Sequence, residues 1–239
     1  MPTVLSSTVA IKTVSENATA GVFEIEGLYS GYGLTIGNVL RRALLSSLEG
    51  AAVTQIKVKN APHEFTTLPG LAEDLVELSL NLKKLRFRSH SEEPQVLSLD
   101  VKGEHEVTGG DIKLNSSVEL VNPGEVIAHL TAKSAELHME VTVEQGRGYM
   151  TSEARNAHEK LPVGAIAVDS LFSPVTKVNF TVEDMRVGER TDYNRLRLEI
   201  DTDGTVSPSQ ALHTAAGILR EHFDSVLTLE PKQFEAPKK

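Results

Sequence analysis

The residues that first suggest chemistry are the glycines of Gly31-x-Gly33-x-x-x-Gly37. They follow an expected strand and open an expected helix, as a dinucleotide-binding turn does. That fingerprint also wants an acidic residue about 20 positions on, at the end of the next strand, to hold a ribose hydroxyl. Here the next strand ends in Lys57 and Lys59, Glu64 lies beyond it in a proline-flanked loop, and no second βαβ unit follows. The glycines then read as a tight turn and a close helix contact. A nucleotide-binding enzyme using this turn stands as the alternative reading. The other candidates are weaker. The eight histidines are scattered, and His213 and His222 lack the i, i+4 spacing of a helical metal pair. Gly146-Arg147-Gly148-Tyr149 lacks the Lys-Ser/Thr ending of a phosphate loop. With no cysteine, thiol catalysis and thiolate metal sites are excluded.

What remains is interaction surface. Arg41 and Arg42 are consecutive on one helix, so their side chains diverge by about 100°. One can flank an apolar stripe while the other faces solvent or a partner, and the planar fork of arginine suits interface carboxylates. Composition agrees. The chain has 239 residues, 40% hydrophobic and 24% charged, as in a globular protein. Its net charge of −9 offers no general grip on a phosphate backbone, and 5% aromatics with no Trp offer few stacking platforms. No apolar run approaches a membrane span, and no signal pattern opens the chain, so the expected location is cytoplasmic.

The elements that must position these residues read as follows. Strands are expected over 4–11 and 20–26, a helix over 35–48 with Ile36, Leu40, Ala43 and Leu44 at the 3.6-residue period, and a strand over 52–59. Residues 60–70, with two prolines and a glycine, read as a loop, and 71–85 as a second helix striped by Leu71, Leu75, Leu78, Leu82 and Leu85. Short alternating strands follow at 96–101, 118–121, 126–130 and 137–143, then a polar stretch from 146 to 160. Strands return at 166–172, 175–187 and 196–200, and Asp201-Thr202-Asp203-Gly204 is a turn. Ser207-Pro208-Ser209-Gln210 predicts a capping box opening a final helix striped by Leu212, Ala215, Leu219, Phe223 and Val226. The tail from 230 on, with two prolines and three lysines, reads as the start of a linker. The β-rich middle between two α/β segments suggests a discontinuous α+β fold: a two-layer α/β unit built from both ends, with a mainly β insert. Two apolar helices exceed what one small core needs, which points to self-association.

Several blocks, taken in order, resemble one family. The run from Gly31 to Ser47, His63-Glu64-Phe65-Thr66-Thr67 into Gly70, Glu73-Asp74-Leu75, Leu80-Asn81-Leu82-Lys83, Gly146-Arg147-Gly148-Tyr149, Val168-Asp169, Phe172-Ser173-Pro174-Val175, Arg186-Val187, Arg190-Thr191-Asp192 and Asp203-Gly204-Thr205 are similar to the N-terminal, assembly domain of bacterial-type DNA-directed RNA polymerase alpha subunits. The resemblance spans about 22–229; the insert segment 89–118 carries no matched block.

The resemblance implies a dimerisation subdomain of residues 1–50 and 176–239, the last part (229–239) beginning a flexible linker, with an insert subdomain of 51–175. It implies a homodimer joined through Ile36, Leu40, Leu44, Leu212, Ala215, Leu219, Phe223 and Val226. It implies a beta-subunit contact at Arg41, Arg42, His63, Glu64, Phe65, Thr66 and Gly70, and a beta-prime contact at Lys83, Ser173, Pro174 and Val175. On this expectation the chain scaffolds a nucleotidyltransferase complex and carries no catalytic residue, cofactor or metal of its own. DNA is met only indirectly, through a C-terminal domain absent from this sequence. The setting is the nucleoid-associated cytoplasm, or a plastid.

Overall fold

The computed structural model describes residues 9–158 and 161–230. The chain runs through strands β1 (Ala10–Glu16) and β2 (Ala20–Leu28), helix α1 (Tyr32–Ser46), β3 (Glu49–Val58) and helix α2 (Leu75–Leu82). Then come β4 (Phe87–Ser89), β5 (Gln95–Lys102), β6 (His105–Thr108), β7 (Ile112–Lys113), β8 (Val118–Leu120), β9 (Val126–Leu130), β10 (Glu136–Arg147) and β11 (Tyr149–Met150). Helix α3 (Ser152–His158), β12 (Ala165–Ala167), β13 (Ser170–Leu171), β14 (Val175–Val187), β15 (Arg190–Thr202) and helix α4 (Pro208–Leu227) complete it. The architecture is α+β, with antiparallel sheets. No helix among the described residues is long and apolar enough to cross a membrane.

Two sheets dominate. One has the order β1-β2-β15-β14, so strands from the two ends of the chain lie side by side. Phe23, Leu196, Leu198 and Ile200 from it meet Leu40, Ala43 and Leu44 of α1 and Ala211, Leu212 and Ala215 of α4. The other sheet has the order β7-β5-β10-β3-β4-β8, with β12 also on β3. Its core joins Ile56, Leu97, Leu99, Leu137 and Val141 to Leu75, Leu78 and Leu82 of α2. The expected boundary at 50–51 falls inside β3, and Val175, placed with the insert by sequence, packs with the α1–α4 cluster.

Other elements differ from expectation for local reasons. Helix α2 is shorter than 71–85 because Leu71 bridges Leu130 and the Ala72 N–H donates to the His129 carbonyl, which ties the first turn to β9 instead. Asp74 then caps the helix, its carboxylate accepting from the Glu77 N–H at 2.7 Å. Leu71 and Leu85 pack on the same core from outside the helix. The polar stretch after 150 contains α3, whose Arg155 is buried against Glu144. The strand expected over 166–172 is broken into β12 and β13. The first strand lies at Ala10–Glu16 rather than 4–11, and residues 4–8 of that expectation lie outside the described residues, as does the tail after 230. At α4 the Ser207 half of the capping box is present, Ser207 Oγ accepting from the Gln210 N–H at 3.3 Å.

The glycine turn is explained by packing. Gly31, at φ +84°, supplies the left-handed residue that starts α1. Gly33 and Gly37 let α1 lie flat on β14 and β15: a Cβ on Gly37 would sit 2.6 Å from Phe180, and one on Gly33 would sit 2.7 Å from Val182. We expect Gly37→Val to cost about 2–3 kcal/mol of stability, measured by urea unfolding, because α1 cannot retreat without opening the core. A loss below about 0.5 kcal/mol would show that the contact is slack.

Candidate functional site

The candidate surfaces are built on α1, the 60–70 loop with α2, and the outer end of α4. The start of α1 has no side-chain cap of its own, because Gly31 has none to give. Asn194, buried on β15, takes that place: its Oδ1 accepts from the Gly31 N–H at 2.8 Å and the Gly33 N–H at 3.4 Å, and its Nδ2 donates to Asp184 at 3.0 Å. The Tyr32 N–H goes to the Tyr29 carbonyl. The N–H groups of Gly31, Tyr32 and Gly33, which a pyrophosphate would use, are therefore satisfied from within the fold. Nothing in this geometry favours the nucleotide-binding alternative.

So anchored, α1 buries Leu40, Ala43 and Leu44 and leaves Arg41 and Arg42 exposed. Neither arginine makes a side-chain hydrogen bond or ion pair among the described residues, so both guanidinium forks face solvent unspent. Leu34 and Leu45 are exposed on the same helix.

In the 60–70 loop, His63, Glu64 and Phe65 are exposed, Phe65 to 76%. Thr66 closes a short turn, its N–H donating to the His63 carbonyl at 3.1 Å. The loop's exit is clamped: the Thr131 N–H donates to the Gly70 carbonyl at 2.8 Å, and Glu73 accepts from both the backbone and the ring of His129. Burial pushes the Glu73 carboxyl up, but the two bonds from His129 outweigh it and leave it below its usual value; the same pairing raises His129. A shallow groove of about 140 Å³ runs from Glu64 past Val76 and Leu80 of α2 to Lys83 and Asp169. The loop and Lys83 thus border one surface, whereas no hydrogen bond or ion pair joins that loop to Arg41 or Arg42.

His90, His105 and His138 are also paired with carboxylates. His138 lies between Asp100 and Glu136, and its hydrogen bond, with that of Lys113, holds Asp100 down to about 2. No group of three or more metal-capable side chains occurs among the described residues.

The expected contact residues differ in their burial within the protomer. Leu44 and Ala215 are fully buried in the chain's own core, and Leu40 and Leu212 nearly so, which leaves them almost no surface for a second copy. Ile36 and Leu219 are half-buried, while Phe223 and Val226 are exposed to 61% and 66%. Pro174 and Val175 are buried, and Ser173 Oγ donates to the Leu45 carbonyl at 3.2 Å. Within the protomer the Ser173 hydroxyl thus ties the start of β14 to the end of α1. Residues that sequence reasoning missed are Asn194, Arg155 and Asp169; only the last stood in a recognised block, and nothing in its spacing announced a role.

Residues 55–173 match the family model described as the RNA polymerase Rpb3/RpoA insert domain. A protein of Moorella thermoacetica called DNA-directed RNA polymerase subunit alpha is 50% identical over 209 residues, 87% of this chain and 66% of that one. The subunit of the same description from Symbiobacterium thermophilum is 48% identical over 221 residues, 92% of this chain and 70% of its own length. The chain belongs to the RNA polymerase alpha subunit family. The Clostridium beijerinckii alpha subunit is similar too, 48% identical over 90% of this chain and 68% of its own length. The chain thus spans about two thirds of the length of these alpha subunits. The family-model match covers the α2 sheet with the groove, and the longer alignments extend over most of the α1–α4 unit as well.

Proposed function

We propose that this alpha-family chain is a homodimeric scaffold for the two large catalytic subunits of DNA-directed RNA polymerase, and that it contributes no catalytic group itself. The observation that carries the reading is α4. Its apolar stripe runs Leu212, Ala215, Leu219, Phe223, Val226. The first half faces the sheet, and every residue from 220 to 230 is exposed. Phe223, Val226, Leu227 and Leu229, at and just beyond the end of α4, then form an apolar surface that is exposed among the described residues. A symmetric pair of such ends, joined by the half-buried Ile36 and Leu219, supplies the apolar centre of an obligate interface, which in total buries more than about 2,000 Å². In this reading the α1–α4 unit is the dimerisation subdomain, the α2 sheet is the insert, and the work is done in the cytoplasm.

Arg41, Arg42 and the loop residues His63, Glu64, Phe65 and Thr66 are the proposed beta-subunit contacts, supported by exposure and by the unspent guanidinium groups. Gly70, half-buried at φ +82°, shapes the loop exit. Lys83 is the proposed beta-prime contact. DNA is reached through other parts of the assembly. The test is Arg42→Ala in the dimer, read by capture of purified beta subunit. The dimer should persist and beta affinity should fall about tenfold or more, as for an interface arginine losing charged hydrogen bonds. Undiminished capture would remove Arg42 from the contact.

A further inference from the structure

Lys83, Tyr149 and Asp169 lie on three segments of the chain, 66 and 20 residues apart, and their side chains meet. Asp169 sits between β12 and β13. Its Oδ2 accepts from the Tyr149 hydroxyl at 2.8 Å, and its Oδ1 accepts from the Ser152 N–H at 2.8 Å. Lys83, at the end of α2, brings its Nζ to 3.5 Å from Asp169 Oδ2 and donates to the Tyr149 hydroxyl at 3.4 Å. The ammonium also stands 4.9 Å from the centre of the Tyr149 ring. Tyr149 is half exposed, and Lys83 and Asp169 border the groove floored by Val76 and Leu80.

We propose that Asp169 is the positioning residue of this contact face, holding the Lys83 ammonium and the Tyr149 ring in the arrangement offered to the second large subunit. The proposal rests on the reading of Lys83 as a beta-prime contact. A free lysine must surrender its rotamer freedom on binding, whereas one already held by a carboxylate and a ring surrenders less. The same carboxylate fixes Tyr149, an aromatic of the kind that anchors interfaces, and ties both to the start of α3. Asp169 acts through its neighbours, since two of its strongest bonds point back into the chain.

Asp169→Asn in the full dimeric chain tests this, because the amide can still accept from Ser152 but no longer carries charge. Two readouts are needed. In the free dimer, acylation of Lys83 by an amine-reactive ester should rise at least about twofold relative to Lys84, as expected for release from an ion pair of this exposure. Affinity for purified beta-prime should fall about two- to fivefold, and the double variant Lys83→Ala/Asp169→Asn should lose less than the two single losses added together, the remainder being the share of Tyr149. Unchanged Lys83 labelling, or additive losses in the double variant, overturns the proposal alone. Lys83→Ala binding beta-prime as tightly as the parent overturns the reading of Lys83 as a contact, and the proposal with it. Should Asp169→Asn fail to fold, Tyr149→Phe removes one anchor and should also raise Lys83 labelling; no rise overturns the proposal.

Discussion

Phe223→Asp is expected to convert the protein to a folded monomer. In the protomer Phe223 is 61% exposed, so a carboxylate there meets water and leaves the fold intact. In the proposed dimer the same position is buried. A two-fold axis brings the change twice, and each unpaired carboxylate costs several kcal/mol to desolvate. The dimer dissociation constant should rise by more than about 1,000-fold, at 1.4 kcal/mol for each factor of ten. Sedimentation velocity at micromolar concentration should show one monomeric species with an unchanged far-ultraviolet circular dichroism spectrum. A dimer that survives the substitution would place the interface elsewhere. The same substitution at Leu44 would say little, because Leu44 is wholly inside the protomer and would unfold the α1–α4 core instead.

Arg155→Ala should produce the second large effect, on stability. Arg155 has 5% of its side chain exposed and makes two hydrogen bonds to the Glu144 carboxylate, at 3.2 and 2.8 Å. Removing the guanidinium strands Glu144, itself mostly buried, and opens a cavity beneath α3. Breaking a buried pair from one side costs about 3–5 kcal/mol. Glu144 is 21% exposed, so water relieves part of that, and about 3 kcal/mol is expected. Urea unfolding should show it as a lower midpoint at similar slope. Arg155→Lys should recover only part, because an ammonium cannot meet the carboxylate twice. A change under about 0.5 kcal/mol would mean that α3 is held by other contacts. Since α3 begins at Ser152, whose N–H binds Asp169, the variant should also loosen the Lys83 face.

Local chemistry determined a good deal of this protein. The Ser207-Pro208 start of α4 was legible because cap and proline act within one turn, and the strand over 175–187 was legible because Val178, Phe180 and Val182 alternate with polar residues at its centre. The leucine stripe of α2 announced its core, although its ends were misread: Leu71 and Leu85 join that core from outside the helix, Leu71 beside its bridge to Leu130 of β9, and periodicity cannot tell the two apart. The run of family blocks settled which family the chain joins. The α1 glycines were rightly separated from a cofactor turn, but only β14 and β15 show why they must be glycine, since Phe180 and Val182 fill the space where side chains would go.

Tertiary structure decided which apolar residues are interior and which remain to be covered. Along α4, Ala215 and Phe223 look equivalent on one stripe. Ala215 packs in the cluster shared with α1 and the sheet while Phe223 lies beyond it, so one is core and the other is exposed. It also decided that Pro174 and Val175 are buried within the protomer, that Asn194 caps a helix 163 residues away, and that Asp169 gathers Lys83 and Tyr149. Each of these depends on chain segments distant in sequence and brought together by strand pairing. Hydrophobic period and local propensity report only on neighbours within a few residues, so no reading of spacing alone could have found them.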